Sequence, residues 1–313
     1  MTPILAAILS TYLLILLGVA LKSREVVGAE FWQAMQKLNY HVFLPVLFAY
    51  SFATSEVFAE VGMIGFVVAI IGTLVAGAAI TLIWVRRNDT RPDLELPLVE
   101  GAIRSNVPLG STMAFTLLGS TGLTLFLGAA ATYLISVILI GAFVVNRSGL
   151  SEVEETEGAF AAAIRLIARN PIVGGAVVGI VLNVTGIGIA DGLSSILQIV
   201  GMAALPIGVL ATGAHLDLRA AQSAIEIFRA NVTADLIIKL AILPVIATVF
   251  TFIFGVDGSA RVIIILLAAT PAVAPRFTLA RDSETWADLP QGLAAAGTVA
   301  GLVTLPLVLW ILV

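Results

Sequence analysis

Runs of apolar residues roughly 18 to 25 long recur from one end of this chain to the other, the length a helix needs to cross the hydrocarbon core of a bilayer. No other feature restricts the fold as strongly. The composition agrees: 59% of the 313 residues are hydrophobic and 12% charged, against roughly 25% charged in an ordinary soluble domain. The first run has no basic flank and no small-residue exit and continues to spanning length at Leu21, so it is expected to stay as a helix. Cysteine is absent, which excludes disulfides, thiolate metal sites and cysteine nucleophiles. The net charge of −4 matters less than where the charges lie, since those of a membrane protein sit in its loops.

Ten spans are expected, at 3–21, 37–54, 61–85, 94–118, 123–145, 168–188, 194–216, 228–254, 261–281 and 286–313. Short polar turns join them, apart from the connection at 146–166, which carries Glu152, Glu154, Glu155 and Glu157. Over alternate loops, Lys and Arg fall twelve on one side (Lys22, Arg24, Lys37, Arg86, Arg87, Arg91, Arg147, Arg165, Arg169, Arg219, Arg229, Arg281) and one, Arg261, on the other. Basic loops stay cytoplasmic. The expectation is therefore a multi-pass protein of the cell inner membrane with both termini extracytoplasmic.

The layout reads as a first five-helix repeat at 1–145, a cytoplasmic linker at 146–166 and a second five-helix repeat at 167–313. An odd number of spans per half makes the second half enter the membrane in the opposite sense, so the halves can form an inverted repeat. Weak internal similarity agrees. Pro45 in the second span and Pro108 in the fourth are 63 residues apart, and Pro206 in the seventh and Pro271 in the ninth are 65 apart. The expected fold is thus all-α and polytopic, ten transmembrane helices as a 5+5 inverted repeat with helices 4 and 9 broken and crossing.

Interruptions at corresponding places in two halves point to a transport site. A proline inside a helix removes a donor and clashes with the carbonyl four residues back, and hydrocarbon tolerates the orphaned groups only where protein or a water-filled cavity satisfies them. Around Pro108 lie Ser105, Asn106 and Gly110; around Pro271 lie Thr270, Pro275 and Arg276. Broken helices crossing at mid-membrane would aim free amides and positive dipole ends at the crossing, which suits an anion. A simple packing kink at each proline is the plainer alternative.

Three cations fall within spans: Arg104, Arg276 and Lys239. A cation at that depth costs roughly 2.5–3.5 kcal/mol and is normally paired or faces water. Arg104 and Arg276 flank the breaks, where a guanidinium fork suits a carboxylate, although both could snorkel to the interface. Asp235 and Lys239 are spaced i, i+4 with the acid first, either a static pair or a proton-coupling pair. Asn39 is a further candidate for the substrate site. His41 is one for coupling, or an interface residue.

The run Lys37-Leu38-Asn39-Tyr40-His41-Val42-Phe43-Leu44-Pro45, the Asn170-Pro171 opening of the second half, the Asn106–Gly110 break and Ala269-Thr270-Pro271-Ala272 together resemble the auxin efflux carrier family. The resemblance covers essentially the whole chain. It implies a fold shared with bile-acid sodium symporters, with substrate at the crossing of helices 4 and 9. It also implies bacterial relatives that carry dicarboxylates such as malonate or malate, plant relatives that export the indole-acetate anion, and a homodimer by analogy with those plant relatives. The linker here is short where the plant exporters have a long hydrophilic loop. The arginines at the breaks, with only 7% aromatic residues to stack on an indole, favour the smaller dicarboxylate.

Other classes lack their motifs. Gly186-Ile187-Gly188 is followed by Ile189 and not by the aspartate of an intramembrane protease, only His41 and His215 could serve a zinc enzyme, and no phosphate-binding Gly-x-x-x-x-Gly-Lys-Ser/Thr run occurs. The expectation is a transporter and not an enzyme, with no cofactor, metal or nucleic acid; its partners are a small organic anion, the lipid bilayer, a coupling ion and, by the resemblance, a second copy of the chain. Proton coupling, or uniport without a coupling ion, suits the chain better than sodium, because Asp235 is the sole deep acid. An indole-carboxylate exporter and a sodium-coupled anion symporter are the alternatives.

Overall fold

A computed structural model of the chain describes residues 2–56, 62–148, 158–273 and 288–312, and among these the regular structure is entirely helical. The α-helices are α1 Thr2–Ser23, α2 Ala29–Leu38, α3 Leu44–Ala53, α4 Met63–Arg87, α5 Glu95–Ile103, α6 Val107–Ser148, α7 Ala159–Ala168, α8 Pro171–Thr185, α9 Asp191–Met202, α10 Ala204–Ala214, α11 Leu218–Ile237, α12 Leu243–Ile253, α13 Gly258–Ala269 and α14 Asp288–Leu312. Among the described residues, six stretches are long and apolar enough to cross a membrane, or seven if α7 and α8 count as one bent span. Large apolar side chains such as Leu9, Ile64, Val184 and Ile199 are well exposed, as a lipid-facing surface requires and a water-facing one would not tolerate.

The ten segments read from the sequence exceed that number because breaks cut them. Residues 37–54 are divided by a π-turn at Asn39–Phe43, the 261–281 segment leaves the helix after Ala269, and 94–118 and 123–145 run on within one stretch, Pro92–Ser148. Within that stretch Gly119 takes φ 63°, ψ −149°, a backbone conformation open to glycine, and bends α6.

The chain divides into two compact units, each drawing on both sequence halves. The first is residues 1–63, 107–131 and 168–215; the second is 64–106, 132–167 and 216–313. Repeat and packing unit differ because a helix buries its stripe against whichever neighbour fits, wherever that neighbour lies in the chain. In the first unit α1 lies on α10 with Gly18 against the Leu210 carbonyl and Gly213 against that of Ile15. Gly175 and Gly179 of α8, a Gly-x-x-x-Gly pair, sit on the Pro45 and Ala49 carbonyls of α3, so the backbones touch where no Cβ would fit. In the second unit Val85, Leu94, Leu98, Ala224, Val232, Leu289 and Leu293 form one core cluster. There Gly292 of α14 fits against Ala220 and Ala224 of α11.

Two π-turns, Asn39–Phe43 and Ile238–Ile242, each stand directly before a Leu-Pro pair. Leu44 and Leu243 donate to the carbonyls five residues back, at Asn39 and Ile238. The wide turn carries the next residue, Pro45 or Pro244, past the carbonyl its ring would otherwise strike.

Candidate functional site

The fourth span is broken as expected, and the ninth leaves the helix at Ala269, the rest of its expected length after Val273 lying outside the described residues. Helix α5 stops at Ile103 and Arg104 is extended (φ −68°, ψ 150°), with Arg104–Asn106 outside any helix before α6 begins at Val107. Pro108 then occupies the second position of α6, where a missing N–H removes no helical bond. Helix α13 stops at Ala269 and Thr270 is extended (φ −64°, ψ 127°), as a residue before proline prefers; Pro271–Val273 continue without helix.

In the second unit the two breaks are tied to each other. The Asn106 amide donates to the Pro271 carbonyl at 3.0 Å. The Ser105 hydroxyl donates to the Leu267 carbonyl at 2.5 Å, capping one of the four carbonyls that the end of α13 leaves open. Ser105 Oγ also accepts from Lys239 Nζ at 3.1 Å. The Tyr133 hydroxyl accepts from the Ser105 amide at 2.7 Å and donates to the Ser105 carbonyl at 3.3 Å. Thr270 turns its hydroxyl back to the Leu266 carbonyl, 2.7 Å away. Ser105, Asn106, Thr270 and Lys239 are all buried, so a polar cluster lies where the surrounding helices are apolar.

The charges divide in a way that spacing alone does not reveal. Arg104 donates to Glu100 one turn before it at 2.9 Å, leaving Glu100 Oε2 and Arg104 Nε buried without a hydrogen-bond partner. Asp235 lies against the backbone of Gly101, where an added Cβ would sit 2.8 Å from its Oδ1, and this oxygen too has no partner. Asp235 thus meets residue 101 and Lys239 meets residue 105, so the eighth-span helix follows the first half of the fourth in the same direction. Asp235 and Lys239 do not form one of the three ion pairs among the described residues. The π-turn begins between them, at Ile238, and the ammonium goes to Ser105 instead.

The structure therefore brings together Arg104, Ser105, Asn106, Thr270, Pro271, Asp235 and Lys239. Pro108 and Asn39 belong to the first unit, where both flank Gly208 and Asn39 Oδ1 is buried without a partner. His41 is not gathered with them: its side chain is exposed and its Nδ1 is 2.9 Å from the Lys37 carbonyl of its own helix. Arg276 lies outside the described residues. Glu100, expected near the start of the fourth span with Asp235 as the sole deep acid, is itself buried beside Arg104, and sequence reasoning did not single out Gly101 or Tyr133. The i, i+4 spacing of Glu100 and Arg104 was a usable signal, whereas Tyr133 comes from 28 residues away and carried none.

The chain is similar to known transport proteins. A family model described as membrane transport protein matches residues 156–309. An uncharacterized transporter of Methanothermobacter thermautotrophicus is 24% identical over 310 residues, covering 96% of this chain and 95% of the relative. The model takes in the second half with the α13 break, and the relative carries the likeness through the first half with the α5 break. The chain is a multi-pass membrane transporter, similar to the membrane transport protein family over its second half and to a transporter over nearly its whole length.

Proposed function

We propose that this chain is a secondary transporter of a small organic anion, a dicarboxylate such as malonate or malate, working by alternating access with substrate at the paired helix breaks. One observation carries the reading: the break after α5 is bonded to the end of α13 and the Pro271 beyond it through Asn106 and Ser105, and a lysine is buried in the same cluster. Lys239 is the cation best suited to the substrate carboxylate. Arg104 is held by Glu100, whereas Lys239 is held by a neutral hydroxyl that a carboxylate can replace at a gain in charge-assisted bonding. Asp235, with a free buried oxygen one turn before Lys239, is the group that would carry the coupling proton. Ten crossings with both termini outside complete the reading. The stretch Pro92–Ser148, 57 residues long, is roughly 85 Å of helix at 1.5 Å per residue, far more than one crossing uses.

The test is uptake of radiolabelled malonate, malate and indole-3-acetate into proteoliposomes under imposed proton or sodium gradients, with wild type, Lys239→Ala and Asp235→Asn. Saturable dicarboxylate uptake driven by the proton gradient is expected, with Lys239→Ala lowering it at least about tenfold, as removal of one partner of a buried charged contact does. Asp235→Asn is expected to leave exchange of substrate across the membrane intact and remove its response to the gradient. Uptake of the indole acid alone overturns the substrate, sodium dependence overturns the coupling, and indifference to Lys239 overturns the site.

A further inference from the structure

A second site, separate from the breaks, lies on the outer surface of the second unit. Trp84 of α4 and Arg229, Ala230, Thr233, Ala234 and Ile237 of α11 line an open groove of about 530 Å³. Positions 230, 233, 234 and 237 fall on one helical stripe. The small side chains of Ala230, Thr233 and Ala234, closed off by the larger Ile237, make a channel roughly 10 Å long at 1.5 Å per residue, with the Trp84 ring as its wall. That wall is firm, because Trp84 packs on the core cluster of Val85, Leu94 and Val232.

The groove is apolar along its length and cationic at one end. Arg229 stands at the loop-ward end of the α11 stripe, next to Phe228, whose non-helical backbone (φ −122°, ψ 35°) kinks the helix there. Arg87 follows Trp84 by three residues on α4 and so extends the same face toward the same loop side, with Arg86 beside it. All three arginines are exposed, and none is in an ion pair among the described residues. The Lys/Arg bias puts this end at the cytoplasmic surface.

We propose that this groove binds an anionic phospholipid, with the phosphate between Arg229 and Arg87 and one acyl chain lying along Ala230–Ile237 against Trp84. Cationic pockets between helices on the cytoplasmic side take lipid headgroups in this way, and an indole at the interface seats the glycerol region. Charge complementarity selects the occupant: a second copy of this chain would have to cover three unpaired arginines, whereas a phospholipid satisfies the cations and the apolar floor together.

The experiment reconstitutes the full chain in phosphatidylcholine bilayers holding a small fraction of phosphatidylglycerol with brominated acyl chains. The Trp84 fluorescence is isolated as the difference between wild type and Trp84→Phe. Brominated phosphatidylglycerol is expected to quench it at a mole fraction several-fold below that needed with brominated phosphatidylcholine. The preference should vanish in Arg229→Gln/Arg87→Gln. Where that variant fails to fold, Ala234→Leu, which fills the floor, should abolish it instead. Equal quenching by both lipids overturns the proposal, as does a preference that survives both changes. Displacement by water-soluble glycerol phosphate as effective as by lipid, or cross-linking of a cysteine at Ala234 to a second copy, also overturns it.

Discussion

Gly101 shows how much one side chain, or its absence, decides here. An added Cβ would lie 2.8 Å from Asp235 Oδ1, 2.9 Å from Oδ2 and 2.8 Å from Leu293 Cδ1. Glycine is thus what lets a buried carboxylate rest on a helix backbone. Gly101→Ala is expected to cost about 1–3 kcal/mol, the usual range for overpacking, and to lower transport. Gly174→Ala, on an exposed turn of α8 with nothing within 4 Å, should be neutral or stabilise by up to about 1 kcal/mol through helix propensity. Thermal unfolding of the two purified variants beside wild type measures the contrast. A second expectation concerns charge identity at Lys239. Its ammonium meets a single hydroxyl in a buried setting, so Lys239→Arg, which adds a larger planar fork, should reduce transport nearly as much as Lys239→Ala. Initial uptake rates at saturating substrate check this, and full activity in the arginine variant would mean that the position requires only a positive charge. Little of this was readable beforehand. Arg104, Ser105, Asn106, Thr270, Pro271, Asp235 and Lys239 stand out as polar residues in apolar runs, but their partners come from tertiary neighbours: Ser105 finds Tyr133, Leu267 and Lys239, all from other elements.

At the scale of elements, the prolines act in two ways. Pro108 and Pro271 stand at true breaks, where the chain leaves the helix. Pro45 and Pro244 stand just after π-turns, where the helix continues. The difference lies in the flanking residues. Thr270 is extended before its proline and Arg104–Asn106 give their polar groups to protein partners, while Leu44 and Leu243 keep donating within the helix. Pro244 therefore holds the turn that sends Lys239 to Ser105 and not to Asp235. Pro244→Ala is expected to let this segment revert to regular α-helix, rotating Lys239 toward the i, i+4 position beside Asp235. Helix propensity favours alanine over proline by about 3 kcal/mol in a helix interior. The variant should accordingly be at least as stable as wild type yet transport more slowly, a divergence read by thermal unfolding and uptake on the same preparation. Parallel loss of stability and activity would show that the proline serves packing alone. The broken helices were legible in the sequence because two prolines per half stand at matched spacing beside polar residues. The π-turns were not, since their only sign is a Leu-Pro pair that also suits an ordinary kink.

At the scale of the whole molecule, cysteine accessibility reads the number of crossings and their direction. The chain contains no cysteine, so single cysteines report without background. Ser23 ends α1, Asn88 follows α4, Asp191 opens α9, and all three are exposed. Cysteines at Ser23 and Asn88 should react with a membrane-impermeant maleimide only from the cytoplasmic face, and one at Asp191 only from the opposite face. Labelling of Ser23 and Asp191 from the same side would rule out the ten-crossing topology. What the sequence determined by itself is the solvent and the secondary structure. Apolar runs of spanning length leave a backbone no place but a bilayer, and a bilayer leaves those runs no regular form but helix. It also marked where two helices stop, because proline and its predecessor obey local steric rules that need no tertiary context. What only the tertiary structure decided is which helices share a unit and which charges meet. Those outcomes rest on close backbone approaches at Gly18, Gly175 and Gly101, on the turn that redirects Lys239, and on distances between residues far apart in the chain. Such contacts depend on shape complementarity between faces, and the periodicity of any one helix holds no record of the face it will meet.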